Sequence, residues 1–318
     1  LTSQEPSVSP TAIALILVAA VAHASWNLFS KQASAAGTVS FVWLFFTWGA
    51  ILYAPVTAIV LIVYHPRLSG LPTVFLVGTA VIHIGYALLL QNGYRLGDLS
   101  VVYPIGRGSG ALLAALAGIV LLGERPGLVA VIGIAFIVTG VMVIGLPARG
   151  ARPAPDPAVP DPVVPDTAPV SGPARRLPVT LGVVFALLTG VTIAIYTLWD
   201  KYAVGPLNVP PVVEDWAATL GVAVALTPFA LRDRPKLALV WHGYRRQVLG
   251  AAILSPLAYI LVLSALRFTA VAVVAPCREV SVLFGVLLGR RLLDEGNVAR
   301  RLIAAVAIVA GIIAVAVS

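Results

Sequence analysis

Charge is what this chain has least of. Charged residues make up 11% of its 318 positions, against about 25% in an average soluble domain. Hydrophobic residues fill 59% of it, and the mean hydropathy is +0.99. That balance excludes an ordinary soluble domain and points to a polytopic membrane protein. The net charge of +8 then orients helices in a bilayer and does not imply nucleic acid. A single cysteine, Cys277, excludes an intramolecular disulfide. Enzymatic signatures are missing too. The chain holds no H-E-x-x-H, no G-x-S-x-G, no carboxylate cluster with metal spacing and no G-x-x-x-x-G-K-[ST], so no catalytic constellation, metal site or ATP-driven pump is expected. Residues 1–10 hold Glu5 and no Lys or Arg. Despite the A-x-A pattern at Ala22-His23-Ala24, residues 11–30 are therefore expected to be a retained span and not a signal peptide.

What is present is one module written twice. Ser25-Trp26-Asn27 with Lys31, Val101-Val102-Tyr103-Pro104 and Leu122-Gly123-Glu124 return as Ile195-Tyr196-Thr197 with Lys201, Val273-Val274-Ala275-Pro276 and Leu293-Asp294-Glu295. The offsets are 170 for the lysines, 172 for the prolines and 171 for the glutamates. Apolar stretches of about 20 residues place spans at 11–30, 40–63, 72–94, 99–121 and 127–146, then 178–200, 211–231, 247–266, 270–289 and 298–317. Five spans per copy is an odd number, so the second copy is inverted across the bilayer. Inverted repeats with a site between the halves are the sequence mark of secondary transporters. The expected fold is an all-α membrane protein with ten transmembrane helices in two inverted five-helix repeats, 11–146 and 178–317. Between them, residues 147–177 are rich in proline and repeat around Asp156, Asp161 and Asp166, so they read as a disordered linker.

Loop charges suggest an orientation. The side carrying the linker gathers fifteen Lys and Arg residues, the other side only Arg67, Arg125, Lys201 and Arg267. The positive-inside rule then puts the linker in the cytoplasm and both termini outside. Before the linker the two sides hold two basic residues each, so the bias comes from the linker and second half.

In order and spacing these motifs resemble the drug/metabolite transporter superfamily, and within it the EamA-type members. The resemblance rests on His23-Ala24-Ser25-Trp26-Asn27 with Lys31, Tyr103-Pro104 in a glycine-rich fourth span, Leu122-Gly123-Glu124-Arg125, Trp199-Asp200-Lys201, Ala275-Pro276 and Leu293-Asp294-Glu295. It covers about residues 11–317 apart from the linker. It implies two EamA-type repeats that move small organic solutes, often amino acids or other metabolites, outward. It also implies both termini in the cytoplasm, opposite to the charge count. Arg107 and Arg278-Glu279 are more charged than the usual family pattern.

Charge inside a span is costly and hence a candidate for function. Pro104 is followed by Gly106, Arg107, Gly108 and Ser109, and Pro276 by Cys277, Arg278, Glu279 and Ser281. Aligned on the prolines without a gap, Ser109 falls on Ser281 and Arg107 on Glu279, so Arg107 and Glu279 are expected to face one cavity and to pair. A one-residue gap pairs Arg107 with Arg278 instead. The arginines suit a carboxylate or phosphate on a substrate, or else an internal salt bridge. Pro104 and Pro276 read as helix breaks or gates, or as ordinary N-terminal prolines. Tyr103, Trp26, its repeat mate Tyr196, His23 and His83 complete the candidate substrate-binding set. His23 either relays protons or serves as a hydrogen-bonded interhelical histidine. Glu214 and Asp215 open span seven, where the helix dipole favours acids and proton coupling is the other reading. Lys31 and Lys201 read as snorkelling at helix ends, and Glu124 and Glu295 as caps of helix starts.

Together these observations describe a secondary transporter of a small amino-acid-like, anionic or zwitterionic metabolite, working in the export direction. Its partners are that small molecule and the lipid bilayer, with no nucleic acid, as a monomer or homodimer. No cofactor is implied; proton coupling is a candidate. The alternative is a non-transporting integral membrane protein, such as a sensor, channel or assembly partner.

Overall fold

The computed structural model describes residues 9–33, 38–96, 99–145, 179–281 and 298–317. The linker 147–177, Glu295 and the end of the 270–289 span lie outside the described residues. Every regular element described is helical: α1 (Pro10–Gln32), α2 (Thr38–Tyr64), α3 (Leu71–Leu96), α4 (Leu99–Leu121), α5 (Leu128–Gly145), α6 (Val179–Val204), α7 (Pro211–Ala230), α8 (Arg234–Leu266), α9 (Val271–Cys277) and α10 (Val298–Ala316). Among the described residues, five stretches are long and apolar enough to cross a membrane: Pro10–Ser30, Val39–Tyr64, Leu71–Leu90, Leu181–Val204 and Pro211–Leu266. Ile105–Leu121, Leu128–Val143 and Ile303–Val315 are shorter apolar helices. Large apolar side chains such as Ile59, Ile62, Val63, Val120, Leu128, Val224 and Ile303 point outward and are exposed. On a soluble protein such a surface would aggregate; in a bilayer it is the face that meets lipid.

Two elements depart from the hydropathy pattern, for local reasons. Helix α8 starts at Arg234, well before the apolar stretch at 247. Asp233 caps it by accepting from the Lys236 amide at 3.1 Å, Pro235 follows in the first turn, and the axis breaks at Tyr244 (φ −131°, ψ 22°). The segment before the break carries Arg234, Lys236 and His242, so the apolar run read from the sequence begins only at 247. Helix α9 gives way after Cys277 to a 3-10 turn, Arg278–Val280. Pro276 lies one residue before the end of α9 and has no N–H to return to the preceding turn.

Among the described residues most helix pairings come in exchanged sets, the packing of α4 on α6 being the chief exception. Helix α1 packs on α8 and α6 on α3; α2 packs on α8 and α7 on α3; α2 meets α7, α4 meets α9 and α5 meets α10. Replacing each of the first five helices by its counterpart in the second five returns the same list. The α5–α10 crossing shows the rule at atomic scale. A Cβ on Gly140 would lie 2.8 Å from the Ala304 carbonyl, and a Cβ on Gly311 2.5 Å from the Gly133 carbonyl. Both steps, 133 to 304 and 140 to 311, equal 171, the offset of the glutamates. Backbones this close admit glycine and exclude anything larger.

The turn after α4 ties the halves together. Gly123 takes φ +68°, which lets the Glu124 amide return to the Gly118 carbonyl at 3.2 Å. The Glu124 carboxylate then accepts the amides of Val271 and Ala272 at 2.7 and 2.8 Å, capping the start of α9. The end of α4 thus adjoins the start of α9, and the two run antiparallel. The cap role expected for Glu124 is present, and the helix it caps belongs to the other copy. Lys201, read as snorkelling, instead bonds the carbonyls of Leu266 and Thr269 at 2.5 and 2.9 Å, closing the end of α8.

Candidate functional site

The antiparallel contact of α4 and α9 brings their charged residues together. Arg107 Nε stands 2.9 Å from Glu279 Oε2, and Arg278 Nε stands 3.2 Å from Glu279 Oε1. Each carboxylate oxygen serves one guanidinium. All three side chains are buried, Glu279 to 1% exposure. The ungapped alignment predicts the Arg107–Glu279 contact. Arg278, which the gapped alternative sets against Arg107, instead binds the same carboxylate.

Both arginines line a cavity of about 40 Å3 together with Ala19, His23, Tyr196, Ala258, Tyr259 and Val262. At 1.5 Å per residue, Arg107 lies about 12 Å from the start of α4 and Arg278 about 10 Å from the start of α9, deep within a hydrocarbon layer of about 30 Å. The Arg278 guanidinium lies 5.7 Å from the Tyr196 ring centroid, and its Nη2 donates to the Tyr196 hydroxyl at 3.3 Å. His83 stacks on the same ring at 4.6 Å. His23 meets the cavity with its ring held from its own helix: Trp26 Nε1 donates to His23 Nδ1 at 3.1 Å. This is an intrahelical bond, where the sequence suggested an interhelical one.

The candidate residues therefore divide. Arg107, Arg278, Tyr196 and His23 line the cavity. Glu279 stands behind the arginines, His83 behind Tyr196, and Trp26 behind His23, where it packs on Phe45. The side chains of Tyr103, Pro104 and Lys31 lie outside those described. Four lining residues escaped the sequence reading: Ala19, Ala258, Tyr259 and Val262. Tyr259 belongs to α8, which carries no repeated motif, and Val262 is one apolar residue among many. Tyr259 lies seven residues before the end of α8, and its ring packs against Tyr196 at 5.9 Å.

This chemistry is that of a small polar chamber in an apolar bundle: two guanidiniums, one carboxylate, two phenols and an imidazole. The model of the EamA-like transporter family matches residues 10–146 and again 180–317. The chain belongs to that family. One solved crystal structure superposes on this EamA-like transporter with a TM-score of 0.67 at 16% identity, covering 95% of this chain and 94% of the other. At that identity the likeness is one of fold. A sequence search of curated proteins finds no match. Family membership makes it a multi-pass membrane transporter; the solute has to be argued from the chamber itself.

Proposed function

We propose that this chain is a secondary transporter that exports a small organic anion or zwitterion, working by alternating access between two inverted five-helix repeats. The observation that carries the solute class is the charge of the chamber. Arg107, Arg278 and Glu279 sum to one positive charge in a buried site. Holding it there is expensive, and a carboxylate or phosphate on the solute offsets that cost with forked hydrogen bonds. The Tyr196 and Tyr259 rings and the methyls of Ala19, Ala258 and Val262 suit an apolar or aromatic remainder on the same molecule.

A cavity of about 40 Å3 holds a few waters and no metabolite, since small-molecule sites run to about 300 Å3 or more. The site is thus closed, and loading requires the halves to part. The antiparallel α4–α9 pair is the natural seam, because its ion pair links one half to the other. The charge bias of the loops supports a cytoplasmic linker and outer termini.

Uptake of labelled metabolites into proteoliposomes containing the full chain, with and without a pH gradient, tests the proposal. Monocarboxylates, amino acids and organic phosphates should move faster than in empty vesicles, and organic cations should not. Preference for cations, or no solute moving above the empty-vesicle rate, would overturn it.

A further inference from the structure

Next to the arginine chamber, toward the ends of α6 and α8, lies a second buried polar group that solute binding does not use. Asp200 is 0% exposed and accepts two neutral hydroxyls, Thr79 at 2.8 Å on one oxygen and Tyr259 on the other. His83 Nδ1 stands 3.1 Å from the same Thr79 hydroxyl and 2.9 Å from the Thr79 carbonyl. The hydroxyl's one proton is committed to Asp200, so the imidazole is the donor to it. From α7, Glu214 is also 0% exposed and lies within hydrogen-bonding reach of the Asp200 carboxyl. Neither Glu214 oxygen meets a hydrogen-bond donor, nor does Oδ2 of the adjacent Asp215.

Among the described residues, no counter-charge is in contact with both carboxylates. Lys201, the next residue on α6, directs its ammonium at the carbonyls of Leu266 and Thr269. Tyr53 on α2 faces Asp215, but its hydroxyl donates to the Ile253 carbonyl at 2.8 Å. His83 reaches Asp200 only through Thr79, and Arg278 lies beyond Tyr259. Two facing carboxylates present acceptors alone, and in a membrane interior neither solvent nor a touching cation offsets both charges. A hydrogen between them resolves the geometry. A metal ion is a poorer fit: among the described residues, no three His, Cys, Asp or Glu side chains are placed to hold one.

We propose that Asp200 and Glu214 form a proton-binding site, with Asp215 as an accessory acid, and that Tyr259 couples it to the chamber. Tyr259 is the shared part: its ring lines the chamber and its hydroxyl is bound to Asp200. With the proton on Glu214, Asp200 is ionised and holds the phenol. When the proton passes to Asp200, that oxygen no longer requires a donor, and the Tyr259 hydroxyl is released toward Arg278 and the solute. There it accepts from Arg278 in competition with the solute, so proton and solute weaken each other's binding, as exchange of an entering proton for an exported solute requires. The acids of the site all come from the second half. At the offset of 170, Asp200 corresponds to Ser30, and the matching region around α2 is an aromatic cluster with Phe41, Phe45 and Trp48.

The coupling rests on the transport reading; the proton site does not, and the two are tested separately. Infrared spectra of the full-length protein in lipid, without solute, should show at neutral pH the C=O stretch of a protonated carboxyl. That band should be lost in Glu214→Gln or shifted in Asp200→Asn, and it should not respond to sodium. A wild-type spectrum without a protonated carboxyl band, or a band that sodium displaces, overturns the proton site whether or not the variants fold. The second arm uses a solute moved in the proteoliposome assay. Glu214→Gln should retain exchange of labelled for unlabelled solute and lose accumulation driven by a pH gradient. A one-unit gradient supports about tenfold accumulation for one proton per solute (about 1.4 kcal/mol), and that factor should fall to one. Full accumulation in a folded Glu214→Gln protein would remove the coupling even where the infrared band is present. If no solute moves at all, the transport reading fails while the infrared result stands.

Discussion

Arg107 and Glu279 sit 172 residues apart and 2.9 Å from each other, one from each half of the molecule. Arg278 takes the other oxygen of the same carboxylate. The two sides of this triad are not equivalent, and mutation should expose that. Glu279→Gln leaves two guanidiniums buried side by side, whereas Arg107→Leu leaves Arg278 and Glu279 as a neutral pair. Breaking a buried pair by removing one partner costs about 3–5 kcal/mol. Glu279→Gln should approach that loss and Arg107→Leu should fall below it, measured as thermal unfolding in detergent. Equal losses would mean that the triad is not the unit of stability.

Transport should reverse that order of severity. Arg107 lines the chamber, while Glu279 stands behind it. Arg107→Ala should abolish transport of an anionic solute in protein that remains folded. Unchanged kinetics in folded Arg107→Ala protein would remove Arg107 from the binding role.

Much of this was legible in the residues because the module is duplicated. A proline in each copy aligns Arg107 with Glu279, and pseudo-symmetry then predicts that they meet. The apolar runs locate the helices to within a few residues wherever a helix is apolar along its whole length. Legibility fails where symmetry fails. Asp200 enters the sequence reading only as part of the Trp199-Asp200-Lys201 motif, and Glu214 and Asp215 read as acids favoured by a helix dipole or as candidates for proton coupling. Only the packing of α3, α6, α7 and α8 turns them inward onto one another. Tyr259 has no motif, and its importance comes from touching both the chamber and Asp200, a relation between four helices that no local pattern encodes. The start of α8 was missed for a different reason: its first turns are held by a cap and a proline, not by hydropathy.

Tyr196 offers Arg278 both a ring face and a hydroxyl, and these can be separated. Tyr196→Phe keeps the stack on His83 and the cation–π contact at 5.7 Å, and loses only the 3.3 Å hydrogen bond. A bond of that length contributes about 1 kcal/mol or less, so solute affinity should drop fivefold at most, on the order of that energy. Tyr196→Ala also removes the ring, with about 0.5–2 kcal/mol more from the cation–π term. Binding or transport KM for the two variants should differ by roughly two- to thirtyfold; equal effects would show that the ring does not hold the guanidinium in place.

The Gly133–Gly311 contact makes the last case, because it isolates packing from charge. A Cβ at Gly311 would sit 2.5 Å from the Gly133 carbonyl and 2.7 Å from Ile137 Cγ1, and a Cβ at Gly133 would sit 2.6 Å from the Gly311 carbonyl. A carbonyl on a helix backbone cannot swing aside as a side chain can, so α5 and α10 must separate to admit even a methyl group. Overpacking of this kind costs about 1–3 kcal/mol. Gly311→Ala should lower thermal stability by that order and Gly311→Val by more, while solute specificity stays unchanged because neither helix lines the chamber. Gly85, which has nothing within 4 Å of its Cβ position, is the control. Gly85→Ala should leave stability unchanged or raise it slightly, since alanine favours the helix by up to about 1 kcal/mol. Gly311→Ala as stable as Gly85→Ala would mean that the α5–α10 crossing is looser than these distances require.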